Sequence, residues 1–285
     1  MRPGIFDIAV IGLGPAGARA AAVAAREGAR VIAIDRKREA GLPVQCAEFV
    51  PALLGGALRG FSKSRVQRID AMVTFIDGAS ADFSADFRGD MIDRAEFDAQ
   101  LCEDAAAAGA QCRFGLRLEG FDADGALRLS SGETIGAGVV IGADGPRSAV
   151  GRAIGSVNLS VAETRQATVR LLEPHHATDI YLSNGTPGGY GWLFPKGDFA
   201  NVGVGVAREH KSALKSALDT LLARLSSEGR ISCAGASMTG GPIPVGGLLR
   251  AFGRINGAEI VLAGDAAGLA NPVTGAGIAA AVMSG

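Results

Sequence analysis

"FDIAVIGLGPAGARAAAVAAREGARVIAIDRK", residues 6–37, decides the fold of this 285-residue chain. Residues 6–12 form an apolar, β-branched run that stops at a glycine, the pattern of a parallel strand buried on both faces. Residues 15–29 are alanine-rich, carry Arg26-Glu27 near the end and meet a glycine stop, which predicts a helix. A second strand is expected over 30–37, completing a βαβ crossover. Gly12-x-Gly14-x-x-Gly17 lies between the first strand and the helix, and Asp35 ends the second strand. Gly12 permits the tight turn, Gly14 lets a pyrophosphate approach the backbone, and Gly17 lets helix and strand pack closely. The helix N-terminus stabilises the phosphate charge, and Asp35 accepts hydrogen bonds from an adenosine ribose. A dinucleotide site is therefore expected here.

Outward from this unit the texture changes twice. Residues 40–60 read as irregular, followed by strands at 71–77 and 80–87 with Gly78 between them. Residues 93–110 predict a helix, with Asp93 as N-cap, Glu96 completing a capping box and Gly109 as the stop. A hairpin is expected over 126–135 around Ser131-Gly132, and a buried strand over 138–145. The stretches 165–172, 179–184, 190–195 and 200–207 read as strands of a separate antiparallel sheet. Residues 211–229 predict an amphipathic helix, apolar at 214, 217, 218, 221, 222 and 225. Residues 258–285 read as a strand, a glycine-rich loop and a helix start. The expected fold class is α/β: a Rossmann-like nucleotide-binding domain with a mainly parallel sheet, plus an inserted antiparallel β-sheet domain. The expected boundaries are 1–65, 91–157 and 251–285 for the first domain, 66–90 and 158–250 for the second.

Composition narrows the function. Apolar residues make up 48% and charged residues 20%, enough for a sizeable core. A net charge of −1 and only 5% aromatics give nucleic acid neither an electrostatic footprint nor stacking platforms. Cys46, Cys102, Cys112 and Cys233 show no C-x-x-C spacing, and the three histidines fit no metal pattern, so no metal is expected. The thiols read as reduced, mostly buried residues of a cytoplasmic protein. No run of about 20 apolar residues is present to span a membrane.

Two further motifs separate FAD from NAD. Residues 139–152, VVIGADGPRSAVGR, place Asp144-Gly145 at a strand end. Residues 260–281, IVLAGDAAGLANPVTGAGIAAA, place Gly264-Asp265 at another, followed by Pro272 and the Gly275/Gly277 pair. With GxGxxG, DG and GD in this order, the chain resembles the FAD-dependent oxidoreductases of the para-hydroxybenzoate hydroxylase type over nearly its whole length. The resemblance implies that Asp265 binds the ribityl chain and Asp144 organises the cofactor region. It also implies a helix start at 275–278, with Ile278, beneath the N1/C2=O edge of the flavin, where reduced flavin carries negative charge. The implied cofactor contacts further include Ala16, Arg36, Cys46, Ala47 and Arg94.

Within that group, Tyr190-Gly191-Trp192-Leu193-Phe194-Pro195-Lys196-Gly197 fits Y-x-W-x-F-P-x-G and resembles the geranylgeranyl reductase family. Cys46-x-Glu48 and R-x-x-F-D-x-x-L beginning at Arg94 resemble the same family. Gly268 stands where the aromatic hydroxylases usually carry His after GD-A-A. The resemblance implies a reductase that saturates C=C bonds of an isoprenoid chain, in a lipid or chlorophyll-type substrate, by hydride transfer from N5 of reduced flavin. An isolated alkene has no carbonyl to absorb charge, so the protein must supply positioning, a dry pocket and a proton. On a strand, Tyr190, Trp192 and Phe194 share one face; with Pro195 they are the candidate substrate wall. The other reading of these aromatics is core. Cys46, Tyr190 and Trp192 are the catalytic candidates, Cys46 as proton donor or flavin-side contact, although a lone cysteine is usually a small buried hydrophobe.

Family members continue for about another hundred residues beyond the point where this chain stops, so it reads as a truncated or a short form. Two alternatives stay open: a flavin monooxygenase or halogenase on the same fold, and a flavin-binding protein without turnover. The electron donor is NAD(P)H or a ferredoxin-like protein, and peripheral membrane contact is expected for a lipid substrate.

Overall fold

The computed structural model describes residues 5–52, 62–77 and 79–285, which divide into two compact units. The first holds the described residues through Pro43, with Ala95–Leu159 and Pro244–Gly285. The second holds the described residues of Val44–Arg94, with Ser160–Ile243. Gly78 and residues 53–60 of the stretch expected to be irregular lie outside the described residues.

The first unit is built on parallel strands in the order Gln111–Phe114, Val31–Asp35, Ile5–Ile11, Thr134–Gly142 and Ala258–Leu262, with Phe252–Ile255 antiparallel at the edge. Val10, Ala33, Val140 and Ile260 are buried, as continuous apolar runs require when both faces of a sheet are covered. Register then decides where the loops fall. Ile11 lies opposite both Ile34 and Gly142, and Gly142 opposite Leu262. The carboxyl ends of four strands are therefore level, and Gly12, Asp35, Ala143 and Ala263 emerge side by side at one edge. That edge is where open α/β sheets bind ligands. The helix Pro15–Arg26 buries Ala16, Gly17, Ala18, Ala20, Ala21 and Ala22, whose small size lets it lie close to the sheet.

The second unit carries a mixed sheet in the order Ile231–Thr239, Val161–Leu171, Phe199–Ala207, Gly191–Lys196, Ala177–Leu182, Ala71–Ile76 and Asp82–Ser84. Its pairs are antiparallel except Ala177–Leu182 against Ala71–Ile76. The helix Leu214–Ser227 covers one face, burying Leu214, Leu218, Leu221 and Leu225 in a cluster with Leu193, Val202 and Val204. The other face carries Trp192 and Phe194 against Ile69 and Met91. Those two residues belong to a three-stranded antiparallel sheet of Phe49–Pro51, Gly89–Ile92 and Arg65–Ile69.

Several extents differ from the sequence reading. The strand expected over 80–87 is only Asp82–Ser84, and the irregular 40–60 stretch contains the strand Phe49–Pro51. The helix expected from 211 starts as a 3-10 turn, Arg208–Ala213, and becomes α-helical at Leu214. Only Cys102 of the four free cysteines is buried; Cys46 and Cys112 are half-buried and Cys233 is exposed. Among the described residues no helix is long and apolar enough to cross a membrane.

Candidate functional site

In the first unit, each glycine of the first motif meets a different constraint. Gly12 has φ +98°, and a Cβ there would lie 2.3 Å from the Ala143 carbonyl oxygen. A Cβ on Gly17 would lie 1.8 Å from the carbonyl oxygen of Gly12. Only glycine fits either place. A Cβ on Gly14 would meet nothing within 4 Å. Gly14 caps a 12-residue helix whose first-turn amides, including those of Ala16 and Gly17, have no carbonyl one turn earlier within the helix. Open space beside those amides fits a pyrophosphate.

Asp35, the expected ribose acceptor, binds two backbone amides. Its Oδ2 accepts from the Leu13 amide at 2.7 Å, and its Oδ1 accepts from the Lys37 amide at 2.8 Å. The carboxylate thus pins the glycine loop to the end of the second strand, with lone pairs left over for a ligand. Arg36 is exposed. The Cys102 thiol donates to the Leu13 carbonyl oxygen at 3.5 Å from the other side. Burial, with Cys112 and Asp98 nearby, pushes that thiol up to about 12, so it keeps its proton.

The DG and GD loops gather at the same edge. The Asp144 carboxylate accepts from the Ser148 hydroxyl at 2.5 Å and the Ala149 amide at 2.6 Å. It therefore holds the start of the helix Ala149–Ala153, while Gly145 takes φ +81°. Gly264, at φ +58°, leaves a place for Ala16: a Cβ there would be 2.9 Å from the Ala16 Cβ. The Asp265 Oδ1 lies beside Gly277, 3.3 Å from where a Cβ would stand. Gly277 caps the helix Ile278–Ser284. Gly275, at φ +70°, closes the preceding turn by donating to the Asn271 carbonyl oxygen at 2.9 Å, and Pro272 is exposed within that turn. The first-unit candidates are thus together at the carboxyl edge of the sheet.

The candidates of the second unit are also together. Tyr190, Trp192 and Phe194 form a row with ring centroids 5.9 and 6.2 Å apart. Trp192 and Phe194 are buried among the unit's own residues, with Pro195 beside them; Tyr190 at the end of the row is half-buried. Burial pushes the Tyr190 phenol up to about 12. Gly203 makes room for the indole: a Cβ there would lie 2.3 Å from the Trp192 Cζ2.

Sequence reasoning missed the residues that join this row to the Cys46 loop. The Trp192 Nε1 donates to Gln166 Oε1 at 3.1 Å, and Gln166 Nε2 donates to the Cys46 carbonyl oxygen at 3.1 Å. Asn201 Nδ2 donates to the Ala47 carbonyl oxygen at 3.2 Å and to Glu48 Oε2 at 2.9 Å. Glu48 is buried with φ 67°, and its carboxylate also accepts from Lys196 Nζ and the Arg94 amide. The Glu48 amide donates to Cys46 Sγ at 3.2 Å. A usable signal was present for Asn201, the polar residue in the apolar strand run FANVGVGVA, since a buried amide side chain needs partners; Gln166 lies in a strand with Glu163, Arg165 and Arg170 and gave none.

The chain matches the family model of the geranylgeranyl reductase catalytic domain over residues 160–239. It is 35% identical to a digeranylgeranylglycerophospholipid reductase of Methanothrix thermoacetophila, over 98% of this chain and 75% of that protein. Identity to the reductase of the same name from Methanocella arvoryzae is 33%, with the same coverage. A geranylgeranyl bacteriochlorophyll reductase-like structure from Thermoplasma acidophilum superposes with a TM-score of 0.82 at 25% identity, covering 98% of this chain and 75% of that one. A myxobacterial FAD-dependent chondrochloren halogenase shares the fold, with a TM-score of 0.72 at 20% identity over 99% of this chain and 72% of that one. The fold is the para-hydroxybenzoate hydroxylase-like one expected, the cofactor is a flavin, and the chain belongs to the geranylgeranyl reductase family of FAD-dependent oxidoreductases.

Proposed function

We propose that the protein binds FAD in its first unit and saturates C=C bonds of a geranylgeranyl-type chain carried on a lipid. The observation that carries this reading is the 35% identity, across 98% of the chain, to a reductase named for digeranylgeranylglycerophospholipid. Glycine-made space at Gly14, the Asp35 carboxylate and the Asp265 carboxylate beside Gly277 would hold the pyrophosphate, ribose and ribityl parts of the cofactor. When bound and reduced, the flavin supplies the hydride equivalent that the alkene needs. The remaining work falls to the chain's own residues. A proton must reach the second carbon of each bond. Cys46 is assigned as its donor: Sγ accepts the Glu48 amide and so leaves its own S–H directed elsewhere. Tyr190, still protonated well above neutral pH, is the alternative source from the same unit. Tyr190, the half-buried end of the aromatic row, offers an apolar face to the prenyl chain, while Trp192, oriented by Gln166, and Phe194 back it from the core. A lipid-borne substrate is collected by peripheral contact with a membrane surface, read as co-sedimentation with vesicles.

The test is anaerobic. FAD-loaded, chemically reduced protein is mixed with the geranylgeranyl lipid or its fully saturated counterpart, and the flavin bands are followed. Reoxidation by the unsaturated lipid alone supports the reading; identical traces reject it. Separate arms with NADPH and reduced ferredoxin then identify the physiological donor.

A further inference from the structure

Asn158 belongs to none of the motifs and stands two residues before the chain enters the second unit. Its Nδ2 donates to the Pro146 carbonyl oxygen at 3.1 Å and to the Asp265 carbonyl oxygen at 2.9 Å. One acceptor lies in the loop after Thr134–Gly142, the other in the loop after Ala258–Leu262. The Asp265 carbonyl also accepts from the Gly268 amide at 3.1 Å. Asn158 therefore grips the very turn that sets the Asp265 carboxylate beside Gly277.

The side-chain amide has one workable orientation. Reversed, it would aim Oδ1 at two carbonyl oxygens, with no donor between them. As it stands, Oδ1 is buried with no hydrogen-bond partner among the described residues. It lies against Gly268, 3.3 Å from where a Cβ would be. A buried acceptor without a donor weakens folding. An apolar side chain of similar size would remove that penalty and lose both loop contacts.

We propose that Asn158 is a positioning residue for the flavin: it clamps the Asp144–Pro146 and Gly264–Asp265 loops together and so presents Asp265 to the cofactor. The proposal rests on the reading of the first unit as the FAD site. Gly268, at φ +73°, is required by the Gly247 carbonyl oxygen, 2.2 Å from where a Cβ would lie.

Apoprotein is titrated with FAD, following the quenching of flavin fluorescence, and the thermal midpoint of the apoprotein is measured beside it. For Asn158→Leu the Kd for FAD rises about tenfold because the Asp265 loop is no longer held in place, while the apoprotein midpoint changes little, the two lost bonds being offset by removal of the unpaired buried acceptor. Asn158→Asp keeps the shape, has no donor when ionised and weakens binding at least as much; it carries the test alone if the leucine variant does not fold. Unchanged affinity in either folded variant overturns the proposal, and a lowered midpoint with unchanged affinity leaves Asn158 a structural residue only. Wild-type protein that takes up no FAD overturns the flavin reading, and this proposal with it.

Discussion

Lys196 Nζ lies 2.9 Å from both carboxylate oxygens of Glu48, a residue 148 positions earlier in the chain. The pair joins the end of the aromatic strand to the Cys46 loop. Glu48 is buried, held at φ 67°, and receives further bonds from Asn201 and the Arg94 amide. Breaking such a pair from one side leaves a buried charge unbalanced. Lys196→Met is expected to destabilise the protein by about 3 kcal/mol, measured by urea unfolding. Adding Glu48→Gln should restore a large part of that loss; a double variant no more stable than Lys196→Met would contradict the pairing account.

Gly203 exists for Trp192. A methyl group there would stand 2.3 Å from the indole Cζ2, so Gly203→Ala must displace the ring or the strand. A destabilisation of about 1–3 kcal/mol is expected from overpacking. Trp192 is the only tryptophan, so its fluorescence reports the displacement directly. An emission spectrum identical to wild type would count against this packing.

The two tyrosines give a pH signature. Burial pushes Tyr190 up to about 12, and burial beside Asp179 raises Tyr181 further above its ordinary value. In the unfolded chain both ionise near pH 10. Between about pH 10 and 12 the native state holds protons that the unfolded state has released, so stability falls as pH rises through this window. Ultraviolet titration should show little phenolate at pH 10.5 until the protein unfolds. A smooth titration of two phenols near pH 10 in the native protein would refute the burial of both.

Asp35→Ala removes the acceptor of the Leu13 and Lys37 amides as well as the proposed ribose contact. FAD affinity is expected to fall by at least tenfold. Gly12→Ala, facing the Ala143 carbonyl oxygen at 2.3 Å, should abolish FAD uptake. Equilibrium dialysis against FAD checks both, and retained wild-type affinity in Gly12→Ala would contradict the loop geometry.

The parallel core was legible because its central strands are buried on both faces and read as apolar runs, as over the first four residues of Val31–Asp35. The shared face of Tyr190, Trp192 and Phe194 followed from strand alternation alone. Ile231–Thr239 was not legible: it is an exposed edge strand of small and polar residues, with Gly235 at φ +72° inside it. The short strands Phe49–Pro51 and Gly89–Ile92 carry too few residues to show a period. The polar joints were hidden for another reason. Glu48–Lys196 and Asn158–Asp265 span 148 and 107 residues, and local pattern carries no information about partners at that distance. The grip of Asp35 on the Leu13 amide depends on loop geometry and was not legible.

The central claim is reduction of an isoprenoid C=C bond, and product mass tests it most directly. FAD-loaded protein, reduced and kept anaerobic, is incubated with a digeranylgeranyl glycerophospholipid, and the extracted lipid is weighed by mass spectrometry. The account predicts a product heavier by two hydrogens for each saturated bond. Unchanged lipid mass despite bound, reduced flavin, or a product that gains oxygen once air is admitted, would contradict it.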